Sequence, residues 1–253
     1  MKVGLVLSGG GVRGVAHLGV IKALEENDVT IDCISGSSAG AIVGALYAAG
    51  HDVLDILDII TQIKTFRLLQ PAMSWKGILT MEVVEKFLEK YLPADDFDDL
   101  KIPLYVTATN LRTGKSESFN QGRLRRVICA SSCIPVMFNP VVYNGELYID
   151  GGILNNLPVD PIREQCDFII GSHSNPVDDN FDPRNVRVVM ERALMMAITQ
   201  NVYQRKSSCD FFIEPKGLEP YKVMDLAKAT EIYEIGYEYT KQQIEKENLL
   251  DHL

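Results

Sequence analysis

The chain of 253 residues is 46% hydrophobic and 23% charged, which gives enough apolar mass for one large core, so a single domain over 1–253 is expected. Its net charge of −9 opposes nucleic acid and anionic membrane surfaces in general, and no apolar run reaches the roughly 18 residues of a membrane span. Val3–Leu7 is too short for a secretory core, and five cysteines (33, 129, 133, 166, 209) form no Cys-x-x-Cys pair, so a reduced, cytoplasmic chain without a zinc ribbon or disulfide framework is expected.

Taken in order, residues 2–8 read as a buried strand running into Gly9-Gly10-Gly11. Residues 12–26 have helical spacing. Residues 31–35 form a second strand, which meets Gly36-Ser37-Ser38-Ala39-Gly40, and 41–49 continue as a helix closed by Gly50. Strand, tight turn, helix, twice over, is the rhythm of a parallel βαβ sheet. Residues 52–63 form an amphipathic helix. Residues 65–79, with Phe66, Pro71 and the single Trp75, break the pattern and read equally as a lid, an acyl-chain groove or a core-packing loop. Residues 81–92 return to helix, and 102–109 form a strand. Asn144-Gly145 marks a hairpin whose second arm ends in Asp150-Gly151-Gly152. A strand at 168–171, a helix at 187–205, a strand at 211–214 and a helix over about 225–247 complete the chain. The small basic clusters, Lys64 with Arg67 and Arg123 with Arg125 and Arg126, read as solvated faces, and Met195-Met196 as core.

Ser38 sits at the centre of a Gly-x-Ser-x-Gly pattern between strand and helix. That context lifts a hydroxyl out of a sheet and aims a helix N-terminus at it. Gly9-Gly10-Gly11-Val12-Arg13-Gly14 fits Gly-x-Gly-x-x-Gly and has two competing readings, a dinucleotide cradle or a set of N–H donors for an oxyanion. The dinucleotide reading needs an acid at the carboxyl end of the second strand. Asp32 lies near that strand's start, and the serine turn occupies its end, which favours the oxyanion reading. None of His17, His51, His173 and His252 has a recognisable catalytic setting, although spacing leaves His173 open. Asp150 ends a strand before two glycines. A carboxylate beside Ser38 could act as base without an imidazole, provided the oxyanion is strongly held. On its own, Asp-Gly-Gly is a turn.

Taken together, Gly9 to Gly14, Gly36 to Gly40 and Asp150 to Gly152, in that order, resemble the patatin-like phospholipases, a family of serine–aspartate lipid acyl hydrolases. His17-Leu18-Gly19-Val20, Ser131 to Pro140 with its two prolines, and Asn155-Asn156-Leu157-Pro158 extend the likeness, which fades after about residue 180. The stretch from about 185 to 253 is then a helical C-terminal portion. The resemblance implies a three-layer α/β/α sandwich around a mostly parallel sheet. It implies Ser38 as nucleophile and Asp150 as base, with Gly14, Gly36, Gly40, Gly151 and Gly152 as motif positions. Gly9, Gly10 and Gly11 would form the oxyanion hole, chiefly through Gly10 and Gly11. Arg13 would hold an anionic head group or, alternatively, brace the loop. The expected substrate is a phospholipid or other acyl ester, met by transient contact at a membrane surface. No metal and no cofactor are expected, since no acidic loop has calcium-ligand spacing. The rival classes are a Rossmann-like nucleotide-binding protein and a non-catalytic binding protein on the same fold.

Overall fold

The computed structural model describes residues 1–62, 81–135, 137–177, 181–222 and 225–252. Segment 65–79 and the Lys64–Arg67 cluster therefore lie outside the described residues. Among the described residues one sheet of eight strands organises the chain: β1 Val3–Leu7, β2 Cys33–Ser37, β3 Leu104–Asn110, β4 Lys115–Phe119, β5 Val141–Tyr143, β6 Glu146–Asp150, β7 Phe168–Ser172 and β8 Phe211–Ile213. Their order is β5-β6-β3-β2-β1-β7-β8, with β4 also paired to β3. Strands β3, β2, β1, β7 and β8 run parallel, while β4 and β6 pair antiparallel to β3.

β1 shows why the architecture has three layers. Its residues alternate by the strand period of two. Val3, Leu5 and Leu7 enter a core with α1 (Ala16–Glu25), α2 (Ala39–Ala48), α3 (Val53–Gln62) and α8 (Ala229–Lys246). Val6 faces the other way, into a smaller core with Leu157, Ile162, Cys166 and Val202. That second face is covered by α6 (Asp160–Arg163) and α7 (Val186–Arg205). The three-layer α/β fold with a mostly parallel central sheet is thus realised by a strand buried on both sides. α1 and α8 approach closely because Gly19 and Gly236 face the partner backbone. A Cβ on Gly19 would lie 2.2 Å from Tyr233 O, and one on Gly236 would lie 2.2 Å from Ala16 O.

Three elements go beyond the sequence expectation. β4 (Lys-Ser-Glu-Ser-Phe) has one apolar residue and an exposed face, so periodicity gives no signal for it. α5 (Leu124–Ser131) and the single turn α6 are the other two, whereas α4 (Glu82–Leu88) falls within the helix expected over 81–92. β2 starts and ends two residues later than expected, so Ser37 still pairs with Thr107. The first helix opens as a 3-10 turn over Gly11–Val15 before α1 begins. All five cysteines are free thiols.

Candidate active site

The register of β3 brings two distant strand ends together. β4 occupies one edge of β3 from Val106 to Asn110. The other edge is shared: β2 arrives parallel and ends with Ser37 opposite Thr107, while β6 arrives antiparallel and ends with Asp150 opposite Ala108. Thr107 and Ala108 are neighbours. β2 and β6 therefore meet nose to nose, and the residues that leave their carboxyl ends, Ser38 and Asp150, are forced into proximity.

Ser38 Oγ donates to Asp150 Oδ2 at 2.6 Å. Both residues are nearly enclosed, 5% and 6% exposed. Ser38 caps α2 with φ +52° and ψ −121°, a conformation that L residues with a Cβ rarely adopt. Such strain is held by close packing of glycines. A Cβ on Gly36 would lie 2.7 Å from the Gly40 backbone, and one on Gly40 would lie 2.3 Å from Leu7 O. A Cβ on Gly151 would lie 2.0 Å from Thr107 O. Asp150 Oδ1 accepts the Gly152 N–H at 2.8 Å. Burial raises the Asp150 carboxyl from its ordinary value to about 6, with the bonds from Ser38 and Gly152 opposing that rise. The pair is arranged to pass a proton from a hydroxyl to a carboxylate that holds it more strongly than an exposed one does.

The glycine loop lies over the serine turn. A Cβ on Gly9 would sit 2.8 Å from Ser38 Cβ, and one on Gly14 would sit 2.6 Å from Ala39 Cβ. The Gly9 N–H is already committed, donating to Asn156 Oδ1 at 2.9 Å, while Gly9 O accepts from Asn156 Nδ2 and Asn175 Nδ2. The Gly9 N–H therefore already has an acceptor within the protein. The Gly10 and Gly11 amides have no acceptor among the described residues. Gly11 takes φ +56°, which glycine tolerates without strain.

Arg13 is held by backbone carbonyls. Its guanidinium donates to three carbonyls, Tyr221 O at 2.7 Å, Glu219 O at 2.9 Å and Pro176 O at 3.3 Å. It ties the glycine loop to the C-terminal segment, two hundred residues away in sequence. These bonds fit the bracing alternative.

No histidine bonds Ser38 or Asp150. His17 Nε2 donates to Ser8 O at 2.8 Å, so its Nδ1 accepts from Ser172 Oγ. His173 Nδ1 meets Ser8 Oγ at 3.3 Å. Burial lowers them to about 4 and about 3, so both are neutral struts beneath the glycine loop. His51 donates to Tyr91 O. Asp32 Oδ2 accepts the Val3 N–H at the amino end of β1, the wrong end of the sheet for a dinucleotide ribose. Among the described residues no cluster of His, Cys, Asp and Glu is placed to hold a metal ion.

Two positions matter that the sequence places in the family likeness without giving them a role. Asn156 holds Gly9 through its side chain and reaches the Asp150 turn through Asn201, and Ser131 bonds the Ser38 backbone. A helical signal for the second is present in Leu124, Val127, Ile128 and Ser131, spaced by three and four residues.

A family model described as patatin-like phospholipase matches residues 5–163. A lysophospholipase nte1 of Aspergillus niger is 28% identical over 279 aligned positions, covering 96% of this chain and 18% of that protein. An uncharacterized NTE family protein of Mycobacterium tuberculosis is 41% identical over 186 positions, covering 70% of this chain and 52% of that protein. The chain thus spans less than a fifth of the fungal relative and about half of the mycobacterial one. Among solved structures, VipD from Legionella pneumophila superposes with a TM-score of 0.57 at 18% identity, over 97% of this chain and 67% of that one. At that identity the likeness speaks to the fold.

Proposed function

This chain belongs to the patatin-like phospholipase family, and on that premise we propose that it hydrolyses carboxylic esters of lipids through an acyl-serine formed on Ser38. The observation that carries the reading is the 2.6 Å bond from Ser38 Oγ to Asp150 Oδ2 at a strained strand-to-helix turn. Asp150 takes the Ser38 proton as Oγ attacks the ester carbonyl. The amides of Gly10 and Gly11, with the N-terminus of α2, hold the oxyanion. The intermediate collapses, the C–O bond to the alcohol breaks, and Asp150 returns the proton to the leaving alkoxide. Water then attacks the acyl-serine, giving its proton to Asp150, and the second collapse restores Ser38 and releases the fatty acid. A nucleotide-binding role has no support in the position of Asp32, and the intact Ser38–Asp150 pair speaks against a purely binding role.

The names of the fungal relatives make a lysophospholipid the first substrate to try. Incubation with lysophospholipids, diacyl phospholipids and neutral acyl esters, followed by mass spectrometry, is expected to show free fatty acid from at least one class. Release from none of them sinks the reading. The same experiment separates the roles of Arg13. If it only braces, Arg13→Ala lowers turnover on phospholipids and on p-nitrophenyl butyrate alike and lowers the melting temperature; a loss confined to phospholipids restores the head-group role.

Oxyanion support is tested at Gly10. Its φ of −176° is open to any residue, but a Cβ would come within 2.3 Å of Ser174 Oγ and 3.3 Å of Gly14 N, so the hydroxyl or the loop must shift. Gly10→Ala is expected to lower kcat about a hundred- to thousandfold with KM little changed. Steady-state kinetics with an unchanged kcat would remove Gly10 from the oxyanion hole.

No helix among the described residues is long and apolar enough to cross a membrane. Access to lipid is therefore proposed through surface contact by the amino half of α7, where Val186 is 76% and Met190 61% exposed. The carboxyl half of α7 borders the site, since Asn201 donates to Gly152 O and accepts the Asn156 N–H. Met190→Glu is expected to reduce sedimentation with zwitterionic vesicles while sparing hydrolysis of a water-soluble ester. Undiminished sedimentation places the contact elsewhere.

A further inference from the structure

The segment from Ser131 to Pro140 carries part of the family resemblance yet has no part in the mechanism above. Its first three residues stand at the carboxyl end of α5, and each grips one side of the proposed dyad. The Ser38 N–H donates to Ser131 Oγ at 2.9 Å, and that hydroxyl in turn donates to Thr107 O at 2.6 Å. Ser132 Oγ donates to Ser38 O at 3.3 Å. The Asp150 N–H donates to Cys133 O at 2.9 Å. Three consecutive residues therefore hold both peptide groups of Ser38 and the backbone of Asp150.

The sheet explains why such a grip is needed. β2 and β6 both end beside β3, at Thr107 and Ala108, but among the described residues no ladder joins one to the other. Beyond those pairings, no sheet hydrogen bond sets where Ser38 sits relative to Asp150. Ser38 also rests in a conformation that costs on the order of 1–3 kcal/mol and persists only where the surroundings impose it. Ser131 is fully buried, so its hydroxyl answers two groups, an amide and a carbonyl, that water does not reach at that site.

We propose that Ser131-Ser132-Cys133 is a clamp that fixes the distance and angle between Ser38 Oγ and Asp150, with Ser131 as its principal positioning residue. The inference rests on the dyad reading given under the proposed function. Ser131 touches neither substrate nor the reacting atoms. It acts through the Ser38 backbone, so its loss lowers the chemical step and leaves substrate binding alone.

Ser131→Ala is expected to lower kcat on a water-soluble ester roughly ten- to hundredfold, with KM unchanged, because small misplacements of a reacting group cost about that much. The second-order rate of fluorophosphonate labelling falls by the same factor. A third readout separates positioning from mere support of the fold. The Ser38 hydroxyl favours the ionised form of Asp150, so slackening that bond moves the acid limb of the kcat/KM profile to higher pH. Among the described residues, the Cys133 thiol is charge-coupled to Asp150, and burial pushes it up to about 12 and keeps it neutral throughout that range. Ser131→Cys, which keeps a weak donor and acceptor on a somewhat larger atom, recovers part of the rate. Should Ser131→Ala not fold, Ser132→Ala carries the test, with the same three changes in smaller measure. Wild-type labelling and an unmoved acid limb in the folded variant overturn the clamp while leaving the dyad standing. Failure of the dyad reading is recognised separately, by a wild-type chain that takes no fluorophosphonate or by labelling that survives Ser38→Ala.

Discussion

Ser38→Ala leaves a folded chain that neither hydrolyses p-nitrophenyl esters nor takes up a fluorophosphonate. The expected loss in turnover is on the order of a millionfold, the scale seen when a hydrolase loses its serine nucleophile. The substitution removes one oxygen, Oγ, whose protein partner is Asp150 Oδ2. The backbone at φ +52° accepts alanine no worse than serine, since both carry a Cβ. The grips on the Ser38 amide and carbonyl come from Ser131 and Ser132 and do not use Oγ. Circular dichroism and melting temperature should therefore stay near wild type, and the loss is chemical. His173→Ala is the companion control. His173 meets Ser8 Oγ and not Ser38, so substantial activity is expected to remain. Persistent labelling in Ser38→Ala places the nucleophile elsewhere. A folded but inactive His173→Ala reveals a hidden triad.

What the sequence shows, and what it hides, divides by the range of the interaction. The turn at Ser38 is legible because its determinants are local: an apolar strand, two glycines that allow close packing, and a helix of small residues. Asp150 is not legible that way, since Asp-Gly-Gly alone reads as a turn, and only the order of the three motifs points to it. The reason lies in β3, which accepts β2 and β6 on one edge and β4 on the other. β4 has no apolar alternation to announce it, so the meeting of Ser38 with Asp150 cannot be built from the segments separately. The partners of Gly9 and Arg13 are hidden for a related reason. The pattern Gly-x-Gly-x-x-Gly says that a backbone is approached closely but not by what. Here the neighbours are the Asn156 side chain for Gly9 and the carbonyls of Tyr221 and Glu219 for Arg13. Both are contributed from far along the chain.

Asp150→Asn is expected to lose nearly all turnover and to gain stability, and the two effects have one cause. An amide can still accept the Gly152 N–H through Oδ1, but it presents Nδ2 to Ser38, so the serine keeps its proton and the attack fails. In the wild-type chain burial raises the carboxyl from 3.8 to about 6. A group whose folded value is raised binds its proton more tightly folded than unfolded. Its favourable contribution is complete below pH 3.8 and fades as pH rises through about 6. Above that the buried charge costs about 3 kcal/mol relative to the protonated form, since each tenfold gain in proton affinity is worth about 1.4 kcal/mol. Asparagine carries no such charge. The melting temperature of Asp150→Asn should therefore exceed that of wild type by several degrees at pH 8, taking about 2–4 °C per kcal/mol for a chain of this size. The difference should close between pH 6 and pH 4. Wild-type kcat/KM should fall over the same interval, tenfold per pH unit below about pH 6, because the base must be ionised to accept the serine proton. Thermal melts of both proteins across pH 4–8, beside the wild-type rate profile, check the two together. A melting difference that does not vary with pH shows that the carboxyl is not raised. Turnover retained in Asp150→Asn shows that another group takes the proton.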